Sequence, residues 1–134
     1  MADVKVTLSL DVAGAKSTLL VPALTVAAVD RVSIKLPKAP SSGTPTAHVV
    51  KAAPAGVDVQ LLLITSGRYD IAGKGVRLLK TATDTTGIPL EAPLFVAGAG
   101  SVSAAPVQAS ELRLVNDSTT EDITVEILVG RNAE

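Results

Sequence analysis

His48, in Thr46-Ala47-His48-Val49-Val50, is the only histidine, and the chain has no cysteine. A serine–histidine–acid triad needs an imidazole oriented by a carboxylate beside an exposed serine. No Gly-x-Ser-x-Gly elbow accompanies His48, so it reads as a surface or hydrogen-bonded structural histidine. One histidine and no thiolate leave no multi-histidine or cysteine metal site within a chain. Asp117, Glu121 and Asp122 cluster within six residues. Calcium takes six to eight oxygen ligands, and these three could supply some. Their order does not follow an EF-hand, and a solvated loop tip is the simpler expectation.

Two glycine-containing segments resemble phosphate loops only at their first residues. Gly98-Ala99-Gly100 opens like a dinucleotide fingerprint, but Ser103 stands at the last glycine position and Pro106 falls where the phosphate-binding helix should run. Lys16-Ser17 follows Ala15, with no glycine upstream of Gly14, so the backbone amides that would wrap a phosphate are not set up. Tyr69 and Phe95 are the only aromatics. That removes the stacking platforms on which single-stranded nucleic acids and sugars bind. Twelve basic against thirteen acidic residues, a net charge of −1, argues against a nucleic-acid partner. The expectation is a non-enzymatic chain with no cofactor and no metal.

The scaffold beneath these residues is aliphatic and β-branched. Val, Ile and Thr together supply 37 of 134 residues, and such side chains fit a pleated surface better than a helix. Val4, Val6, Leu8 and Leu10 alternate with Lys5, Thr7 and Ser9, the period of a half-buried strand. Ser17–Val21 also reads as a strand, and Asp30-Arg31 as a turn between two more, residues 23–29 and Val32–Leu36. Val57–Ile64 starts alternating and becomes wholly apolar, as a strand does when both faces are covered. Gly73-Lys74-Gly75 suggests a hairpin between Arg68–Ala72 and Val76–Thr81. Pro89 and Pro93 make residues 88–92 and 94–97 edge strands. Leu112–Val115 and Ile123–Val129 read as a final hairpin; Ser118-Thr119-Thr120-Glu121 matches a helix capping box, but the β-branched residues after it favour a strand. Pro37–Pro45 and Gly98–Pro106 read as loops. About nine to eleven short strands with turns between them predict an all-β, single-domain β-sandwich or jelly roll over residues 1–134.

No stretch is long and apolar enough for a membrane-spanning helix. Met1-Ala2-Asp3-Val4-Lys5 lacks the pattern of a signal peptide. A soluble protein made in the cytoplasm, with no membrane partner, is expected. Arg31, Lys35, Lys38 and Lys51 fall in a stretch without acids, whereas residues 111–126 carry five acids and one arginine. These stretches could pair between copies or against a charged host surface, although ordinary solvated surface explains them as well.

The segment Leu112–Ser118 with Ile123–Gly130, together with the Ala/Val/Thr/Gly-rich composition and small-residue loops, resembles the virion proteins of tailed bacteriophages. The likeness is greatest to small head decoration, or cement, proteins. That resemblance implies a virion protein, made in the host cytoplasm, that binds the major capsid protein or another virion protein and its own copies as a trimer or dimer. A tail, neck or fibre component would share the composition; the readings from other classes are a cell-surface or carbohydrate-binding β module and a small hydrolase or isomerase on a jelly-roll scaffold, against which the solitary His48 weighs. Val4, Val6 and Leu8, on an N-terminal edge strand or arm at residues 1–11, and Pro37, Lys38, Pro40 and Pro45 are the candidate partner contacts. A chain-terminal strand can pair with another chain at little topological cost, and a proline-rich loop loses little entropy when it binds.

Overall fold

The computed structural model describes residues 2–69 and 74–132, with the backbone alone for residues 2 and 19–23. Ten strands and one short helix lie among them: β1 (Ala2–Val12), β2 (Ala15–Val26), β3 (Ala28–Leu36), β4 (Ala47–Val50), β5 (Val59–Ser66), β6 (Val76–Leu79), β7 (Ile88–Pro89), β8 (Leu94–Ala97), α1 (Ala99–Ala104), β9 (Leu112–Asn116) and β10 (Ile123–Arg131).

Eight strands make the body. One sheet has the order β3-β10-β5-β8 and the other β4-β9-β6-β7. The antiparallel pairs β3/β10, β4/β9, β5/β8 and β6/β7 nest like the rungs of one long hairpin whose tip is β6–β7. Winding that ribbon brings β10 against β5 and β9 against β6. This is the jelly-roll way of making a sandwich, and it corresponds to the expected fold class.

The two sheets bury one aliphatic core. Leu36, Leu62, Ile64, Val125 and Ile127 meet Val50, Val76, Leu78, Leu112 and Leu114. β10 shows why the sequence folds this way: Ile123, Val125, Ile127 and Val129 are buried, while Thr124 and Glu126 between them are exposed. Side chains of this size interdigitate between thin sheets with no aromatic at the centre.

Several local expectations need correcting. Leu112–Asn116 and Ile123–Arg131 are strands, but they do not pair. They lie in opposite sheets, each between two other strands, and the segment joining them arches across the sandwich edge. β5 and β6 also lie in different sheets; the hairpin expected between Arg68–Ala72 and Val76–Thr81 falls on residues 70–73, which lie outside the described residues. Asp30 and Arg31 sit inside β3, and the chain bends at Ala27 instead. Ser17–Val21 belongs to a strand of twelve residues. The loop expected at Gly98–Pro106 contains α1, which stops where Ala105, preceding Pro106, is forced to extended backbone. As expected, β7 and β8 are edge strands.

β1 and β2 form a separate two-stranded sheet outside the sandwich. The accessible surface is 7834 Å², roughly 1,300 Å² above what area scaling gives for a compact chain of this mass. A projecting hairpin accounts for such an excess.

Candidate functional site

The β1–β2 hairpin is an arm. Its turn is Ala13-Gly14, with φ of 51° and 88°, the two consecutive left-handed residues that match the twist of a tight hairpin. Asp11 Oδ1 accepts the Gly14 amide at 3.1 Å and closes the tip. The register sets Val6, Leu8, Leu10 and Val12 opposite Val21, Leu19, Ser17 and Ala15. Asp11 faces Lys16, Ser9 faces Thr18, and Thr25 Oγ1 donates to Asp3 Oδ1. β1 thus sets its apolar residues on one face and its polar residues on the other, where Leu20 of β2 stands opposite Thr7. A bulge between Val4 and Val6 sets two β2 residues, Pro22 and Ala23, against the single Lys5 of β1, a position where proline is tolerated in a strand.

The apolar face has no cover towards its tip. Leu8 is 39% exposed, Leu10 60% and Val12 68%, whereas Val4 and Val6 nearer the base are half-buried. At the base, Val26 is fully buried. It lies over Gly130 of β10 and Leu61 of β5, on the outer face of the β3-β10-β5-β8 sheet.

That outer face carries a furrow between β10 and β5. Its pairs are Gly130/Leu61, Leu128/Leu63 and Glu126/Thr65. The first is covered by Val26. The second is half-buried and floors a shallow depression bordered by Arg31, Thr65 and Glu126.

The sequence-based contact residues fall at two separate places. Val4, Val6 and Leu8 lie on the arm's apolar face. Pro37, Lys38 and Pro40 are exposed and Pro45 is half-buried in the loop after β3. β3, nine residues long, separates arm base from loop by about 30 Å, so the two do not form one site. The loop is also less free than expected. Ala39 is buried and its amide donates to the Ser118 carbonyl at 2.6 Å, while the Lys38 amide donates to Asp122 Oδ1 at 2.9 Å.

Of the polar residues singled out for chemistry, Asp117, Glu121 and Asp122 are engaged in structural contacts. His48 is half-buried on β4 opposite Leu114. Asp117 takes Arg77 in a two-pronged pair, Nε to Oδ2 at 2.5 Å and Nη2 to Oδ1 at 3.0 Å. The hydrogen bond to Asp117 raises the Arg77 pKa further. Arg77 Nη1 also donates to the Thr86 carbonyl at 2.9 Å. Glu121 pairs with Arg68. Asp122 pairs with Lys35 at 3.5 Å, and the Lys38 amide holds its carboxyl below the usual range. The acidic stretch is therefore tied to cations of the same chain, and among the described residues no group of three or more potential ligands is placed to hold a metal. Ser118 does cap backbone amides, those of Thr120 and Glu121 at 3.3 Å, but in a turn and not at a helix.

Leu10, Val12 and the furrow residues Leu63 and Leu128 were not singled out from the sequence. The signals were present: the period-two alternation continues to Val12, and the wholly apolar run at residues 61–64 requires that Leu63 face outward. Compared with protein-family models, curated proteins and solved structures, the chain matches none.

Proposed function

We propose that this chain is a structural protein of a tailed-phage virion, one that assembles on the capsid and stabilises it through protein–protein contacts. The observation that carries the reading is the arm: a two-stranded ribbon with an uncovered apolar face beside a closed jelly-roll body. A lone two-stranded hairpin is marginal in water, so a protein surface that covers this face would stabilise it.

Three further features support the reading. Jelly rolls are a recurrent architecture of viral coat proteins, although they also occur in lectins and cupins. Pro40–Thr44 is an exposed segment at the end of the sandwich away from the arm base, with Lys38 beside it. A molecule with different equipment at its two ends can join its own copies at one end and a host surface at the other. Many weak contacts of this kind add by avidity when copies are linked.

Co-sedimentation with capsids assembled without this protein tests the proposal. Saturable binding at a fixed ratio to the major capsid protein, with a rise in capsid melting temperature, is the expected result. Absence of binding at concentrations of about 100 μM would overturn it.

A further inference from the structure

We infer that the open edge of β3 takes an extended, acidic segment of a partner protein as an added strand. This rests on the part of the proposed function that makes the chain a binder of other proteins, and it names the chemistry of the segment bound.

β3 stands at the end of its sheet, with β10 on one side and no strand of the described residues on the other. It is nine residues long, and its register with β10 runs unbroken from Ala28 to Leu36. The other edge strands of the sandwich, β4, β7 and β8, have two to four residues. Lys38 and Ala39, which follow β3, bond to Asp122 and Ser118 and add no strand. Long edges are normally blunted by proline, a bulge, an inward charge or exposed cations. β3 has no proline and no bulge. Its one charge on the half-buried face, Asp30, is neutralised by Arg131 of β10 at 2.6 Å. Only the exposed cations Arg31 and Lys35 remain, and they select by sign: they repel a basic strand and accept an acidic one.

Charge therefore chooses the occupant. Arg68, Arg77, Arg113 and Arg131 each pair with a carboxylate of this chain, and Arg31 alone among the arginines forms no ion pair with a described residue. Lys35 is 71% exposed and meets Asp122 at 3.5 Å, a contact worth little. Val29, Arg31, Ser33 and Lys35 make the exposed face of β3, with Val32 and Ile34 half-buried on the other. An added strand sets alternate residues opposite these two rows. Arg31 and Lys35 are about 13 Å apart along the strand. The fitting segment has acidic residues at i and i+4 on one face and aliphatic residues at i+1 and i+3 on the other, beside Val32 and Ile34.

The β3 of a second copy is the poorer fit. Two copies joined at this edge about a two-fold axis pair antiparallel with like faces on one side, so odd-numbered residues meet odd-numbered ones. Each such register that pairs most of the strand sets Arg31 opposite or diagonal to Arg31 or Lys35 of the other copy, and like charges so placed oppose the pairing.

The probe is a capped nine-residue peptide of alternating valine and threonine in which two glutamates, four residues apart, replace threonines. It should bind the purified chain saturably, with a Kd below about 1 mM, and a version with lysines in place of the glutamates should bind at least about tenfold more weakly. Saturation should slow hydrogen exchange at every second amide of β3, since the amides between them are already bonded to β10. Two further glutamate peptides, N-methylated at odd or at even residues, separate strand addition from charge attraction: one should bind and the other should not. The variant with Arg31→Glu and Lys35→Glu should melt near the wild-type temperature and prefer the lysine peptide.

No saturable binding at about 1 mM peptide overturns the inference. So does equal binding of the two charge types, equal binding of the two methylated peptides, or protection of amides elsewhere. Slowed exchange at alternate β3 amides in the concentrated chain without peptide shows a second copy on the edge, which also overturns it. A chain that binds the peptide and ignores capsids keeps the inference and removes the virion role; a chain that binds capsids and ignores the peptide does the reverse.

Discussion

Val26 rests directly on Gly130: a Cβ built on Gly130 would lie 3.2 Å from Val26 Cγ1 and 3.3 Å from Leu61 Cβ. The missing side chain of one residue is what lets the arm's base sit flush on the sheet. Gly130→Val should force this contact open. Overpacking of a tight site costs about 1–3 kcal/mol, and urea denaturation should show a loss in that range. Limited proteolysis should then cut the chain between arm and body, near Ala27, faster than in wild type.

Asn116 ties the arch to the other sheet. It is buried, and its Nδ2 donates to the carbonyls of Leu36, Pro37 and Glu121 at 3.1–3.2 Å, while its Oδ1 accepts the Ser118 amide at 2.9 Å. Asn116→Asp places a carboxylate against three carbonyl oxygens. A buried group stripped of its partners costs about 1–3 kcal/mol, more when charged. A loss of at least about 3 kcal/mol in chemical denaturation is expected at neutral pH, and it should shrink in acid as the carboxyl is protonated.

Asn116 also shows where the sequence stops being informative. Strand positions were legible because burial alternates with period two, as in Ile123, Val125, Ile127 and Val129. Edge placement of β7 and β8 was legible from Pro89 and Pro93. Pairing was not. Asn116-Asp117-Ser118 has the composition of a hairpin loop, and only the carbonyls of Leu36 and Pro37, some eighty residues away, reveal it as an arch. The arm was half legible: alternation exposed its strand, but whether Leu8, Leu10 and Val12 are covered depends on what packs beside them. The furrow was hidden because Leu63 and Leu128 look like core residues in sequence.

Arg77 and Asp117 provide a polar counterpart on the outer face of the other sheet. Their side chains are 25% and 14% exposed, so water screens the pair only partly. A double-mutant cycle with Arg77→Met and Asp117→Asn should yield a coupling of about 1–2 kcal/mol, the scale of hydrogen bonds to charged groups. The same cycle on Lys35 and Asp122, exposed at 71% and 41%, should yield a few tenths at most.

Asp84 makes the loop before β7 sensitive to acid. Its carboxylate accepts the backbone amides of Lys80, Thr86 and Gly87 at 3.0 Å, and these bonds hold its pKa below the usual carboxylate value. Folding then binds fewer protons at this site than the unfolded chain does. The stabilisation is present above the ordinary carboxylate pKa of about 4 and is lost as pH falls through the lowered folded value. Asp84→Asn should lower the melting temperature at neutral pH and flatten its fall in acid. Melts from neutral pH down to about pH 2 in both chains give the comparison.

The Pro37–Pro45 loop should divide into a structural half and a binding half. Ala39 is buried and its amide is bonded to Ser118, and Lys38 is anchored through its amide to Asp122. Pro40, Ser41, Ser42, Gly43 and Thr44 are exposed, and Gly43 has φ of 99°. Replacing residues 40–44 by a glycine-serine linker of equal length should leave the midpoint of chemical unfolding within about 0.5 kcal/mol of wild type, as for most surface changes. Ala39→Asp, which buries a charge between Ser118 and the loop, should cost several times more. If this end of the sandwich meets the host surface, the linker variant should lose capsid binding while keeping the oligomeric state of the wild type. Full capsid binding by the linker variant would exclude the loop as the contact and direct the search to Val49 and its neighbours on the outer face of the β4-β9-β6-β7 sheet.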